Sequence, residues 1–350
     1  MIKLKPELFA ALETQDGLLN GLQQAIQLEH ATIPTYLYAL YSIKLDSNTE
    51  IQDLIRSIVI QEMLHMALAC NILNAIGGSP VIDRPEFIPQ YPGPLPGAVE
   101  SELIVPLARF SLDLVKNVFM VIEEPETPLN FPVRAFAAAP PQTIGEFYTA
   151  IKQQIMERGQ SIFEVGVLSK QVTSDFWPNE LIKVTDVNSA TRAIEMIVEQ
   201  GEGTTKSPLR GEGSNIAHYY RFAEIYHGKT LIPNPNAPPD APDDQKYVYG
   251  GDPIPFDPNG VLPVIENPKA ALYPAGSPAR LACDTFNSTY TSILKKLHVS
   301  FNGSPNQLED AIFGNFGMDT LSGQAMDLMA IDLGNGTNAG PSFEYRPDSP

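Results

Sequence analysis

The chain has 350 residues, with 23 Lys and Arg against 41 Asp and Glu, a formal charge of −18. Such a field repels phosphate backbones and anionic lipid surfaces, so neither a nucleic-acid partner nor a membrane partner is expected. Apolar residues at 43% and charged residues at 18% exclude a disordered, solvating chain, and the length exceeds one average domain of roughly 100 to 200 residues.

The opening stretch, MIKLKPELFAALETQDG, lacks the apolar core of a secretory leader. No run reaches the roughly 18 apolar residues that a membrane span needs. The two cysteines, Cys70 and Cys283, sit in no CxxC pattern, which suits a reducing compartment and excludes a zinc knuckle. A cytoplasmic protein is expected.

Apolar spacing predicts two long amphipathic helices over 16–44 and 51–76, joined by the polar turn Asp46-Ser47-Asn48 as an antiparallel hairpin. Gly77, Gly78 and Pro80 stop the second helix. An irregular Pro-rich crossover follows over 79–109, then a third helix over 111–123, ended by Pro125. Further helices are expected over 143–159, 187–202 and 214–226, the last two separated by the glycine-rich insertion 201–213. Between Pro233 and Pro278 lie 12 of the 32 prolines, too many for a helix or a central strand, and this stretch reads as an ordered wrap. Three C-terminal helices are expected over 278–297, 306–313 and 319–331. No convincing run of strands is visible. The expected fold class is all-α, a helical bundle over 1–230 with the wrap and additional helices of 231–350 packed on it.

Chemistry enters through charged residues on apolar stripes. In the first long helix the stripe runs Leu18, Leu22, Ala25, Glu29, Ile33, Tyr36, Leu40, Ile43; in the second it runs Leu54, Ile58, Glu62, His65, Ala69, Ile72, Ile76. The mean of 29 and 62 falls in the hairpin turn, so both glutamates lie about 25 Å from it and at one level. Two buried carboxylates face to face need a proton or a cation between them. Glu-x-x-His opposite a Glu is half of the ligand set of carboxylate-bridged two-metal bundles; the alternative is a buried Glu-His ion pair. Antiparallel packing of the fourth and fifth helices would bring Glu202 back to the height of Glu146, with His218 entering just after the insertion. The candidate metal set is therefore Glu29, Glu62, His65, Glu146, Glu202 and His218, which suits iron or manganese better than zinc. Competing readings stand beside it. Thr143 and Glu146 also fit a T-x-x-E capping box, His218 also fits a core histidine, and Glu199 and His30 lie off the stripes. Phosphate-binding loops and nucleophile elbows are absent, which excludes nucleotide and triad chemistry.

The segments LQQAIQLEHATIPTYL (22–37) and QEMLHMALACNILNAIGG (61–78) resemble the ferritin-like domain of the iminophenyl-pyruvate dimer synthase family. YPGPLPG (91–97), TIGEFY (143–148), EQGEG (199–203), HYYRF (218–222) and AGPSFEY (339–345) agree with it in order, so the resemblance covers nearly the whole chain. That family is named for an enzyme of bis-indole pigment biosynthesis that couples two aromatic amino-acid-derived imines. The resemblance implies a ferritin-like fold and supports the same six metal residues. One departure is visible: the position three before His218 is Asn215, where many two-metal bundles hold a glutamate. The expected function is a di-iron or di-manganese oxidoreductase acting on a small organic substrate, such as an aromatic amino-acid-derived imine, and the expected partner beside the substrate is a second copy in a homodimer. The alternative is a non-catalytic metal-binding or accessory bundle.

Overall fold

The computed structural model describes residues 2–98, 103–125, 143–201, 208, 216–241 and 245–347. A short helix, α1 (Pro6–Ala11), leads into two 27-residue helices, α2 (Gln15–Tyr41) and α3 (Thr49–Ala75). The Thr14 hydroxyl opens α2 by accepting from the Gly17 amide at 3.0 Å. Pro34 does not end α2, and beside it the Tyr91 hydroxyl donates to the Ala31 carbonyl at 2.6 Å. The Thr32 hydroxyl donates to Glu62 Oε2 at 3.0 Å, which fixes the two helices in the antiparallel register their sequences call for. By length and hydropathy α3 could cross a membrane, but 83% of its apolar window is buried among the other helices.

The other side of the bundle is assembled from four shorter helices. These are α4 (112–122), whose middle, Val115–Phe119, is wound as a π-helix, α5 (Ile144–Arg158), α6 (Val187–Gly201) and α7 (His218–His227). The Lys116 ammonium lies 4.9 Å from the centre of the Tyr226 ring, while Glu123, just past α4, approaches His218 at the start of α7, so these two helices run antiparallel. Lys152 and Glu195, 3.3 Å apart, tie α5 to α6 while Tyr148 and Gln200 both reach the α2–α3 hairpin, again an antiparallel pair. Two pairs of half-length helices thus meet at the level of Glu29 and Glu62. The helix expected from 214 begins at His218; Ile216 and Ala217 precede it, and 214–215 lie outside the described residues.

The Pro-rich stretch is ordered by backbone pairing with the α2–α3 turn. The Lys44 amide donates to the Gly260 carbonyl and the Leu262 amide to the Ser42 carbonyl, both at 2.8 Å, and the Asp257 amide donates to Asn48 Oδ1 at 2.7 Å. A Cβ on Gly260 would sit 2.6 Å from Asn48 Nδ2, so glycine is required for this approach. A two-stranded antiparallel ladder, β1 (Lys229–Pro233) and β2 (Tyr247–Pro253), corrects the expectation of no strands. Its prolines close the strand ends, where the missing N–H breaks no central ladder, and this composition hid the pair. Helices α8 (Pro278–Phe301), α9 (Gln307–Phe313) and α10 (Met318–Met329) pack on the outer face of the α2–α3 hairpin. One apolar core joins Leu22, Tyr36 and Leu68 of the hairpin to Phe286, Phe301 and Leu321 of these helices.

The segment between α5 and α6 hangs on one buried amide. Asn71 Nδ2 donates to the carbonyls of Val172 (2.8 Å) and Ile182 (2.9 Å), and its Oδ1 accepts from the Val172 amide at 2.9 Å. Truncation leaves those backbone groups buried and unpaired. Asn71→Ala is expected to lower the unfolding free energy by about 2 to 4 kcal/mol in urea denaturation; an unchanged midpoint with an unchanged slope would contradict this anchoring role.

Candidate metal centre

Five side chains from four elements converge inside the bundle: Glu29 from α2, Glu62 and His65 from α3, Glu123 from the end of α4 and His218 from the start of α7. Each is at most 8% exposed. His218 Nδ1 lies 2.7 Å from Glu62 Oε1 and 3.5 Å from Glu123 Oε2, and His65 Nδ1 lies 3.4 Å from Glu29 Oε2. The imidazole rings stack with centroids 5.3 Å apart. Ligand atoms of Glu62, His65 and His218 all fall within 4.8 Å of one another.

The outer hydrogen bonds set the direction of both rings. His65 Nε2 is 2.7 Å from Gln200 Oε1, and Gln200 Nε2 donates to Glu180 Oε1 at 3.1 Å. A carboxylate accepts only, so the Gln200 amide oxygen must face His65, and His65 must carry its hydrogen on Nε2. His218 Nε2 is 3.1 Å from Gln61 Oε1, which also accepts from the Arg221 guanidinium, a pure donor. The same tautomer follows. Burial lowers the His218 pKa, which keeps that ring neutral. The Nδ1 lone pairs are then left pointing at carboxylates, and His218 Nδ1, fully buried, forms no aligned hydrogen bond despite its short approach to Glu62.

That arrangement is repulsive unless a proton or a cation lies among these atoms. Burial, followed by the facing Glu123 carboxylate, pushes Glu62 well above the usual carboxylate range. The Tyr36 hydroxyl donates to Glu123 Oε1 at 2.6 Å and the Tyr148 hydroxyl to Glu29 Oε1; burial and the adjacent carboxylates keep both phenols protonated. Three carboxylates and two imidazoles with inward Nδ1 atoms fit a metal, and a mixed oxygen and nitrogen donor set suits iron or manganese.

Of the six residues expected from sequence, the fold brings four together: Glu29, Glu62, His65 and His218. Glu146 is placed in the capping box, its carboxylate accepting from the Thr143 amide at 3.0 Å while Thr143 Oγ1 accepts from the Glu146 amide at the same distance. Two residues on, Tyr148 is the α5 side chain that reaches the cluster. Glu202 lies outside the described residues; its neighbour Gly201 borders the cluster, with the position of a Cβ there 3.8 Å from Glu123 Oε2. Glu123 was missed, although the spacing Val115, Phe119, Glu123 carries the signature that singled out Glu29. A second carboxylate beside His218, after Glu62 of α3, is thus supplied by Glu123 at the end of α4. A cleft of about 470 Å³, counted to its mouth, opens from the cluster past Leu28, Ile122, Ile144, Ile197 and Val198.

Residues 22–227 match the family described as ferritin-like. Dichlorochromopyrrolate synthase of Lentzea aerocolonigenes is 24% identical over 388 residues, covering 95% of this chain but 36% of its own, so the chain spans about a third of that relative's length. A ferritin-like protein from Caulobacter vibrioides, known from its crystal structure, is 26% identical with a TM-score of 0.61, over 94% of this chain and 99% of that one.

The two glutamates read differently by sequence and structure separate by experiment. Glu146→Ala is expected to cost about 1 kcal/mol of stability, as for loss of a cap, and to leave bound metal unchanged. Glu123→Ala is expected to remove at least half of the metal found by elemental analysis. The reverse pattern would put Glu146 at the centre.

Proposed function

This chain belongs to the ferritin-like family, and from that premise we propose that it is a two-metal oxidoreductase, using iron or manganese, that acts on a small organic substrate. The observation that carries the reading is the pair of buried imidazoles whose Nδ1 atoms face three carboxylates. Glu29, Glu62, Glu123, His65 and His218 would hold the metal, with Glu202 adjacent in sequence to the cleft-lining Gly201. When bound, such a metal pair supplies the electrons with which oxygen or peroxide is activated.

The rest of the chemistry belongs to the chain. Tyr36 and Tyr148 donate hydrogen bonds to Glu123 Oε1 and Glu29 Oε1, so each carboxylate keeps its other oxygen for metal. Gln200 and Gln61 fix the ring orientations from outside. The apolar wall of Leu28, Ile122, Ile144, Ile197 and Val198 excludes water and would orient an apolar substrate beside the carboxylates. An aromatic amino-acid-derived imine is the substrate class we favour; the likeness to dichlorochromopyrrolate synthase, over a third of that protein, supports it. The buried, unpaired Cys70 and Cys283 support a reducing cytoplasmic setting.

The test is elemental analysis combined with oxygen uptake. Wild type is expected to carry about two iron or manganese ions per chain. Glu62→Ala and His218→Ala are expected to lose both metal and any oxygen consumption with imines of aromatic amino acids. Full metal loading with no oxygen or peroxide turnover would favour a non-catalytic metal-binding bundle. Retention of full metal in Glu62→Ala would overturn the assignment of the centre.

A further inference from the structure

A second cavity lies on the far side of the α2–α3 hairpin from the metal centre, enclosed by α2, α3 and the C-terminal helices α8, α9 and α10. Together with the solvent space at its mouth it measures about 660 Å³. Among the described side chains that line it, only His30, Trp177 and Tyr290 carry a nitrogen or oxygen atom; the rest are aliphatic, Met or Phe, and none is charged. An empty apolar space needs no such polar atoms.

Two of them are orphaned. Trp177 Nε1 and His30 Nδ1 are buried with no hydrogen-bond partner, in residues 4% and 3% exposed. An indole N–H donates only. His30 Nε2 lies 2.7 Å from the Tyr290 hydroxyl. A phenol is the stronger donor of the two, which makes His30 Nε2 the acceptor and leaves a hydrogen on Nδ1. Two side chains of an otherwise apolar wall thus each carry a buried N–H without a partner. Burying a donor without a partner is costly, roughly 1 to 3 kcal/mol each, and a ligand that supplies an acceptor removes that cost.

We propose that this cavity is a binding site for a neutral, apolar small molecule bearing a carbonyl-type oxygen, with Trp177 and His30 as the donors that orient it. Absence of any cationic side chain in the lining argues against a carboxylate or phosphate ligand. Met63, Met66 and Met318 give the wall adaptable thioether contacts. Met63 and Met66 flank Glu62 and His65 on α3, so the occupant would rest against the helix that carries half of the metal centre. The site itself is independent of the metal.

Trp177 is the single tryptophan of the chain, so its emission reports from the wall of this cavity, and the cavity-filling variants below separate binding here from binding elsewhere. The probe is the naphthyl ketone prodan, which is neutral and absorbs where tryptophan emits. Titrating it into the full-length protein is expected to give saturable quenching of Trp177. Filling the space by Ala67→Leu, or separately by Ala311→Leu on another helix, should weaken the interaction at least about tenfold, with thermal melts and metal content confirming that each variant folds. Prodan should be displaced by 2-acetylnaphthalene at lower concentration than by 2-ethylnaphthalene, although the ketone is the more water-soluble. Quenching that never saturates, or that both folded variants leave unchanged, would overturn the site. Equal or better displacement by the hydrocarbon would overturn the role of the two donors.

Discussion

The arrangement on which the rest depends is the burial of three carboxylates against two imidazoles whose lone pairs face inward. Removing a carboxylate from water costs several kcal/mol unless it is paired, and here the nearest ring nitrogens are acceptors too. A small set of outer hydrogen bonds holds this unfavourable cluster in place. Gln200 is itself fixed by Glu180, Gln61 by Arg221, and the Tyr36 ring by packing against Phe119 and Phe222. Each outer contact orients a buried polar group of the cluster, as support for a bound metal requires.

The interruption of the bundle follows from the same demand. A continuous pair of helices opposite α2 and α3 would close the cluster off from any substrate. Four half-length helices place helix ends there instead, so that Glu123 and His218 project from a C-terminus and an N-terminus, and the apolar cleft opens beside them. The π-wound turn in α4 lies one turn before Glu123, where the widened helix changes the phase of the residues that follow. On the opposite face, α8, α9 and α10 seal the hairpin but leave a second, apolar cavity. The two long helices thus act as a wall between two chambers of different character.

How much of this is legible in the sequence depends on whether a residue's role leaves a periodic trace. Glu29, Glu62 and His65 interrupt long apolar stripes, so their burial and their common level follow from helix geometry and the hairpin turn. Glu146 illustrates the limit: T-x-x-E satisfies a capping box and a ligand position equally, and only the fold assigns it to the cap. Glu123 stands between Ile122 and the Glu124-Pro125 helix stop, so it reads as a solvated end unless the Val115–Phe119–Glu123 spacing is followed through the π turn. Gln61 and Gln200 leave no trace, because an amide that orients a histidine is indistinguishable in sequence from one on a surface. The β1–β2 pair was hidden by its own composition, since prolines at both strand ends suppress the signal of a short ladder.

The most direct test of the central claim is anomalous diffraction from crystals of the metal-loaded protein, with data collected across the iron and manganese absorption edges. The account predicts two peaks inside the bundle, within about 2.0 to 2.3 Å of His65 Nδ1, His218 Nδ1 and oxygens of Glu29, Glu62 and Glu123. An empty cluster in protein shown to be loaded, or metal bound through Nε2 of either histidine, would contradict it.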